Sequence, residues 1–163
     1  MNTQTVIEGV KPPPAPTRTD AMVKAAVLGY IGRHGFEWSD GQVDQAAADI
    51  ANEYRDGMDG YQLAKALEAN CYWSELCLQD AEDLDGISFV VRDAESAARE
   101  AWAAEWNIKP ALANGAHIRQ GVIAGVYEYE AACYTVKAHG CTQDGRHLII
   151  KFEDATLTVK SAT

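Results

Sequence analysis

One change of rhythm constrains this chain more than anything else in it. Up to about residue 106 the apolar residues recur at three- and four-residue steps, the period of a helix. Past Pro110 they recur at two-residue steps, the period of a strand: Leu148, Ile150 and Phe152 alternate with Ile149 and Lys151. A segment with one period cannot bury its apolar face in the other geometry. The sequence therefore predicts an α+β protein, an N-terminal helical bundle followed by a small antiparallel sheet or barrel. The expected organisation is a proline-rich arm over 1–18, an acidic helical domain over 19–108 and a small β domain over 109–163.

Helix boundaries follow from caps and stops. Thr19 or Asp20 can open a helix running to about His34, with Met22, Ala25, Ala26, Leu28, Tyr30 and Ile31 as its apolar residues and Gly35 as its stop. A second helix is predicted after Ser39 to near Arg55, and a third, capped by Asp59, to about Asn70. Residues 73–106 read as one long helix, because Trp73, Cys77, Leu84, Val91, Ala98 and Trp102 fall in a narrow arc at 100° per residue. Gly86 lies inside it, at a cost of about 1 kcal/mol against alanine.

Four strands are expected: 117–127, 129–138, 146–153 and 156–160. The run from His117 to Tyr127, followed by two longer strands, resembles an SH3-like or Tudor-like barrel. That resemblance implies a module that binds other molecules. Pro12, Pro13, Pro14 and Pro16 favour an extended polyproline conformation, and the arm around them is expected to pack along the protein's own surface.

Charge is segregated. The net charge is −10, yet residues 1–35 hold two acids and four bases, and 109–163 hold five acids and six bases. Residues 36–108 hold 17 acids and four bases. Such a field repels nucleic acid and attracts basic surfaces, so direct nucleic-acid binding is not expected. Lys109, Arg119, Lys137, Arg146, Lys151 and Lys160 offer only a weak basic side. No apolar run approaches the roughly 20 residues that span a bilayer. The first residues lack a signal-peptide pattern, so a cytoplasmic protein with reduced thiols is expected.

No pattern for chemistry emerges. Cys133, His139, Cys141 and His147 are close in sequence and invite a zinc site. In a hairpin that sets Cys133 opposite Lys151, however, Cys133 and His147 lie roughly 13 Å apart along the strand. Cys71 and Cys77, on one helix, would point about 120° away from each other. No serine lies in a nucleophile-elbow context, and the carboxylates are too many for any pair to stand out. The expectation is no catalytic residue, no metal and no cofactor. An enzyme whose Cys/His or carboxylate site is assembled only by the fold is the alternative.

The long helix carries the candidate site. Glu75, Glu82, Asp93 and Glu100 are separated by 7, 11 and 7 residues, whole numbers of turns, so they form one stripe opposite the apolar arc. Phe89 projects near it, either packed beneath the first three helices or exposed as an anchor for a partner. The acid-rich stretch Gln79–Gly86 and this stripe give the chain the general makeup of small phage- or mobile-element-encoded inhibitors of host defence, which it resembles in style rather than by motif. That resemblance, to anti-CRISPR and anti-restriction proteins, implies a nucleic-acid mimic. Its partner would be a basic protein surface, part of a nucleic-acid-binding complex. An adaptor that binds a peptide or protein through the C-terminal barrel is the other reading. Nothing in the sequence sets the oligomeric state.

Overall fold

A computed structural model of the chain describes residues 12–34, 40–74, 76–140 and 147–158. It is α+β, with α1 (Asp20–His34), α2 (Asp40–Glu53), α3 (Gly60–Asn70) and α4 (Leu78–Glu105) preceding β1 (His117–Ile118), β2 (Gly121–Val126), β3 (Cys133–Ala138) and β4 (His147–Lys151). The chain divides into two compact units, residues 17–98 and residues 1–16 with 99–163, and the division falls within α4. Among the described residues no helix is long and apolar enough to cross a membrane.

In the helical unit each start has a local cause. Thr19 caps α1, its Oγ1 accepting from the Met22 N–H at 3.2 Å. Asp59 and Gln62 form a reciprocal capping box at α3, Gln62 N–H to Asp59 Oδ1 at 2.8 Å and Asp59 N–H to Gln62 Oε1 at 3.1 Å. The inward residues of the four helices make one core, in which Val27, Ile50, Leu63, Leu67, Ile87 and Val91 are almost wholly buried. Each contributes about 1.5–3 kcal/mol of apolar burial.

The long helix is shorter at its start than its apolar arc predicts. Residues 72–74, 76 and 77 are not helical, and α4 begins at Leu78 because the Asp80 carboxylate accepts the Cys77 N–H at 2.7 Å. Cys71 ends α3 and Cys77 is exposed, so the two do not share a helix. Trp73 leaves the expected arc and donates its indole N–H to Asp49 Oδ2 at 2.9 Å.

Helix α4 does run unbroken through Gly86, and the reason is packing. A Cβ there would lie 2.2 Å from the hydroxyl oxygen of Tyr30. Tyr30 is 8% exposed and its hydroxyl donates to the Asp83 carbonyl at 2.7 Å, so the ring has little room to withdraw. Gly86→Ala is therefore expected to destabilise the protein by about 2 kcal/mol, although alanine is the better helix former by about 1 kcal/mol. Urea unfolding followed by circular dichroism checks the sign.

The C-terminal unit is a four-stranded antiparallel sheet in the order β1-β2-β3-β4. The first predicted strand is divided, because the chain turns at Arg119-Gln120 so that Ile118 pairs with Gly121. Residues 129–132 are not strand, and Ala132 takes a left-handed conformation at φ 56°. After β4 and a short 3-10 turn (Phe152–Asp154) the chain returns to β1. Leu157 bridges Ile118, the Arg119 N–H donates to the Thr156 carbonyl at 3.0 Å, and the Thr158 N–H donates to the His117 carbonyl at 3.0 Å. Both edges of β1 are thus paired. Ile118, Ile123, Tyr134 and Val136 form the core beneath the sheet, with Phe152 against Tyr134 at 4.3 Å between ring centroids.

Arg99 organises this unit and is absent from any sequence expectation. It is 4% exposed, yet every arm of its guanidinium is used. Nη1 and Nη2 fork onto the two Glu153 carboxylate oxygens at 2.9 and 2.8 Å. Nε donates to the Ala131 carbonyl at 2.8 Å and Nη2 to the Ala132 carbonyl at 3.0 Å. In the same unit the Trp102 indole lies 5.7 Å from the Arg99 guanidinium carbon and donates its N–H to the Pro13 carbonyl at 3.1 Å. That bond ties down the start of the described arm. Of residues 5–14, which are expected to pack along the protein's surface, 5–11 lie outside the described residues.

Candidate partner-binding face

The 3.6-residue period of α4 sends Ala81, Leu84, Ile87 and Val91 into the helical core. The same period turns Glu82, Phe89 and Asp93 outward, and all three are exposed. Phe89 is 57% exposed, which corrects the reading that packs it beneath the first three helices. It stands on the side of α4 opposite Ile87 and Val91. Leu78, one turn before Glu82, is also exposed.

Of the other two members of the expected stripe, Glu75 lies outside the described residues. Glu100 is exposed, but it belongs to the C-terminal unit. The sequence reading also overlooked a base beside the anchor: the Arg92 guanidinium carbon lies 5.3 Å from the Phe89 ring centroid. The (i, i+3) spacing of the two residues was the available signal.

The acids of the helical unit divide into two groups. Asp56 is paired with Arg18, Asp44 with Lys24, and Glu68 with Lys65. Asp59 and Asp80 cap helices, and Asp85 accepts the Gly60 N–H at the start of α3. Among the described residues Glu82 and Asp93 have neither an ion-pair nor a hydrogen-bond partner. Arg18, Lys24 and Lys65 are engaged as above and Arg55 on the Asn52 and Tyr54 carbonyls, while Arg92 lies over the Phe89 ring.

The unit boundary sharpens the charge segregation. Residues 17–98 carry sixteen acids and six bases, while the other unit carries eight of each. The whole net charge of −10 therefore falls on the helical unit.

The shifted cysteines and carboxylates are set by burial and by ion pairs. Burial pushes the Cys133 thiol up, and burial likewise raises Cys71, the opposite of nucleophile activation. The Arg18 hydrogen bond holds Asp56 below the usual carboxylate range, and the Arg99 fork does the same for Glu153. Carboxylates in that state serve as ion-pair members, not as general acids. The hairpin register sets Cys133 opposite Lys151 and Lys137 opposite His147, as the zinc argument assumed. Cys141 lies outside the described residues. Among the described residues no three His, Cys, Asp or Glu side chains are grouped to hold a metal. No protein-family model, curated protein or solved structure matches the chain.

Proposed function

We propose that this chain is a non-enzymatic binding protein that inhibits a basic, nucleic-acid-gripping partner through the outer face of α4. The observation that carries the reading is Phe89, exposed between two carboxylates that have no partner among the described residues, on the unit that holds all of the net charge. Carboxylates at that face steer a basic surface toward it, and an aromatic side chain supplies apolar area that is desolvated on contact. An inhibitor of the anti-CRISPR or anti-restriction type works in this way, occupying the surface on which nucleic acid would lie.

A double charge reversal, Glu82→Lys with Asp93→Lys, tests the reading. Both positions are exposed, so stability should change little. Immobilised wild-type protein is expected to retain a partner at low salt, to release it at high salt, and to lose it to added duplex DNA. The double variant is expected to retain none. Retention by the variant equal to that of the wild type would contradict the proposal.

A second reading places binding on the C-terminal unit, as an adaptor of SH3-like character. Val126, Tyr129, Leu148 and Ile149 support it, since all four are exposed large hydrophobics on that unit. Tyr129→Ala with Ile149→Ser would abolish binding under this reading and leave it intact under the first.

A further inference from the structure

We infer that a groove beside α2 seats an arginine side chain of the basic partner; this rests on the partner chemistry proposed above. The groove has a volume of about 470 Å³ and is lined by Gln42, Gln45, Asp49, Tyr72, Trp73 and Asp80 among others. Among the described residues two carboxylates and no base contribute to its lining. It is formed wholly within the helical unit, by α2, the segment that follows α3 and the first turn of α4.

Among the described residues the two carboxylates are held by neutral hydrogen-bond donors and by no ion pair. Gln45 Nε2 donates to Asp49 Oδ1 at 2.7 Å and the Trp73 indole N–H donates to Asp49 Oδ2 at 2.9 Å. The Cys77 N–H donates to Asp80 Oδ2 at 2.7 Å. All three donors are uncharged, so the groove keeps two oriented anions that need no rearrangement to receive a cation. Each carboxylate oxygen retains a further lone pair for a second donor.

Tyr72 supplies the third element. It follows the end of α3 at φ 58°, where the chain turns back so that the Trp73 N–H donates to the Leu67 carbonyl at 3.4 Å. Glycine is the favoured residue at such a position, since a side chain there crowds the backbone. Tyrosine accepts that strain while remaining 92% exposed, so burial gives nothing back. Strain kept at a surface position points to use of the ring. Among cationic side chains arginine fits best, because its planar guanidinium stacks on an aromatic face and forks onto carboxylates. A lysine ammonium offers only a point charge, and an anionic ligand would be repelled.

The probe is the pentapeptide acetyl-Gly-Arg-Gly-Arg-Gly-amide, with its uncharged citrulline counterpart as control, titrated into the isotopically labelled full chain. The Trp73 indole N–H reports directly on Asp49. Saturable shifts are expected at that resonance and at the Asp80 amide with the arginine peptide, and none with citrulline. Tyr72→Gly should weaken binding about tenfold while raising the melting temperature by about 3 °C, so loss of binding cannot be ascribed to misfolding. Asp80→Asn keeps an oxygen for the Cys77 N–H and should weaken binding about fivefold. Equal response to the citrulline peptide, or unchanged affinity in Tyr72→Gly, would overturn the assignment. Shifts confined to the surroundings of Phe89 would overturn the groove and leave the α4 face standing. A groove that responds, together with partner binding indifferent to the Glu82 and Asp93 reversals, would overturn the face and leave the groove.

Discussion

Arg99→Ala is expected to destabilise the C-terminal unit by about 3 kcal/mol. The substitution removes four hydrogen bonds at once, and two of them end on backbone carbonyls, of Ala131 and Ala132. Ala132 is 8% exposed, so its carbonyl loses the guanidinium in a place where water replaces it poorly. Glu153 is less affected, because its side chain is 42% exposed and can hydrate. Arg99→Lys should recover only part of the loss, since an ammonium cannot fork onto a carboxylate and reach two carbonyls together. The pH dependence has a fixed sign. Glu153 is held below the usual carboxylate range in the folded protein, chiefly by the Arg99 hydrogen bond. Its stabilising contribution is complete above the unfolded value, about 4.3, and is lost as pH falls through the folded value. The difference in stability between wild type and Glu153→Gln should therefore be constant near neutrality and shrink in acid below that value. Urea unfolding at a series of pH values measures both effects. A difference that grows in acid would refute this account of the pair.

Gly60→Ala is expected to cost a similar amount, about 3 kcal/mol, in the other unit. Gly60 is the first residue of α3 and is buried. A Cβ on it would lie 1.9 Å from the Ala81 carbonyl oxygen and 2.6 Å from the Asp85 backbone nitrogen. Those are main-chain atoms of α4, so no rotamer change relieves the overlap and the two helices must separate. Separation would also break the hydrogen bond from the Gly60 N–H to the Asp85 carboxylate. Alanine is intrinsically better in a helix by about 1 kcal/mol, so an observed loss measures the helix contact against that gain. A variant as stable as the wild type, with an unchanged dependence on urea, would show that α3 and α4 do not meet this closely.

Much of the architecture was legible because it is set locally. The apolar periods placed α1, α2 and α3 within a few residues of their observed ends, and Asp59 read correctly as a cap, while its reciprocal bond with Gln62 was not read. Alternation gave β4, β-branched and aromatic composition gave β3 with a start four residues too early, and pairing Ala138 near Arg146 gave their register. The start of α4 was misread because Trp73 and Cys77 continue the arc of Leu84 and Val91 by spacing alone. Capping by Asp80 and the bond from Trp73 to Asp49 prevail over that spacing, and the second of these joins residues 24 apart. Distance in sequence also hid Arg99, whose partner Glu153 lies 54 residues away. An arginine in a polar-looking helix gives no sign that it will be buried. In the candidate site, the outward position of Glu82 and Asp93 follows from helical period and the stacking of Arg92 on Phe89 from their (i, i+3) spacing, but the groove at Tyr72 follows from neither. The groove depends on a left-handed residue at a position where sequence statistics favour glycine.

The central claim is that the acidic face of α4 meets a basic partner by long-range attraction and holds it through Phe89. The most direct test measures association and dissociation rates of the captured partner at several salt concentrations, for wild type, the Glu82→Lys and Asp93→Lys double variant, and Phe89→Ala. The wild-type association rate should fall steeply with salt. The double variant should associate about tenfold more slowly at low salt, with a much flatter salt dependence. Phe89→Ala should keep the wild-type association rate and dissociate about tenfold faster, since an anchor acts after encounter. Association rates and salt slopes that are the same for wild type and the double variant would contradict the account and leave this face a solvated surface.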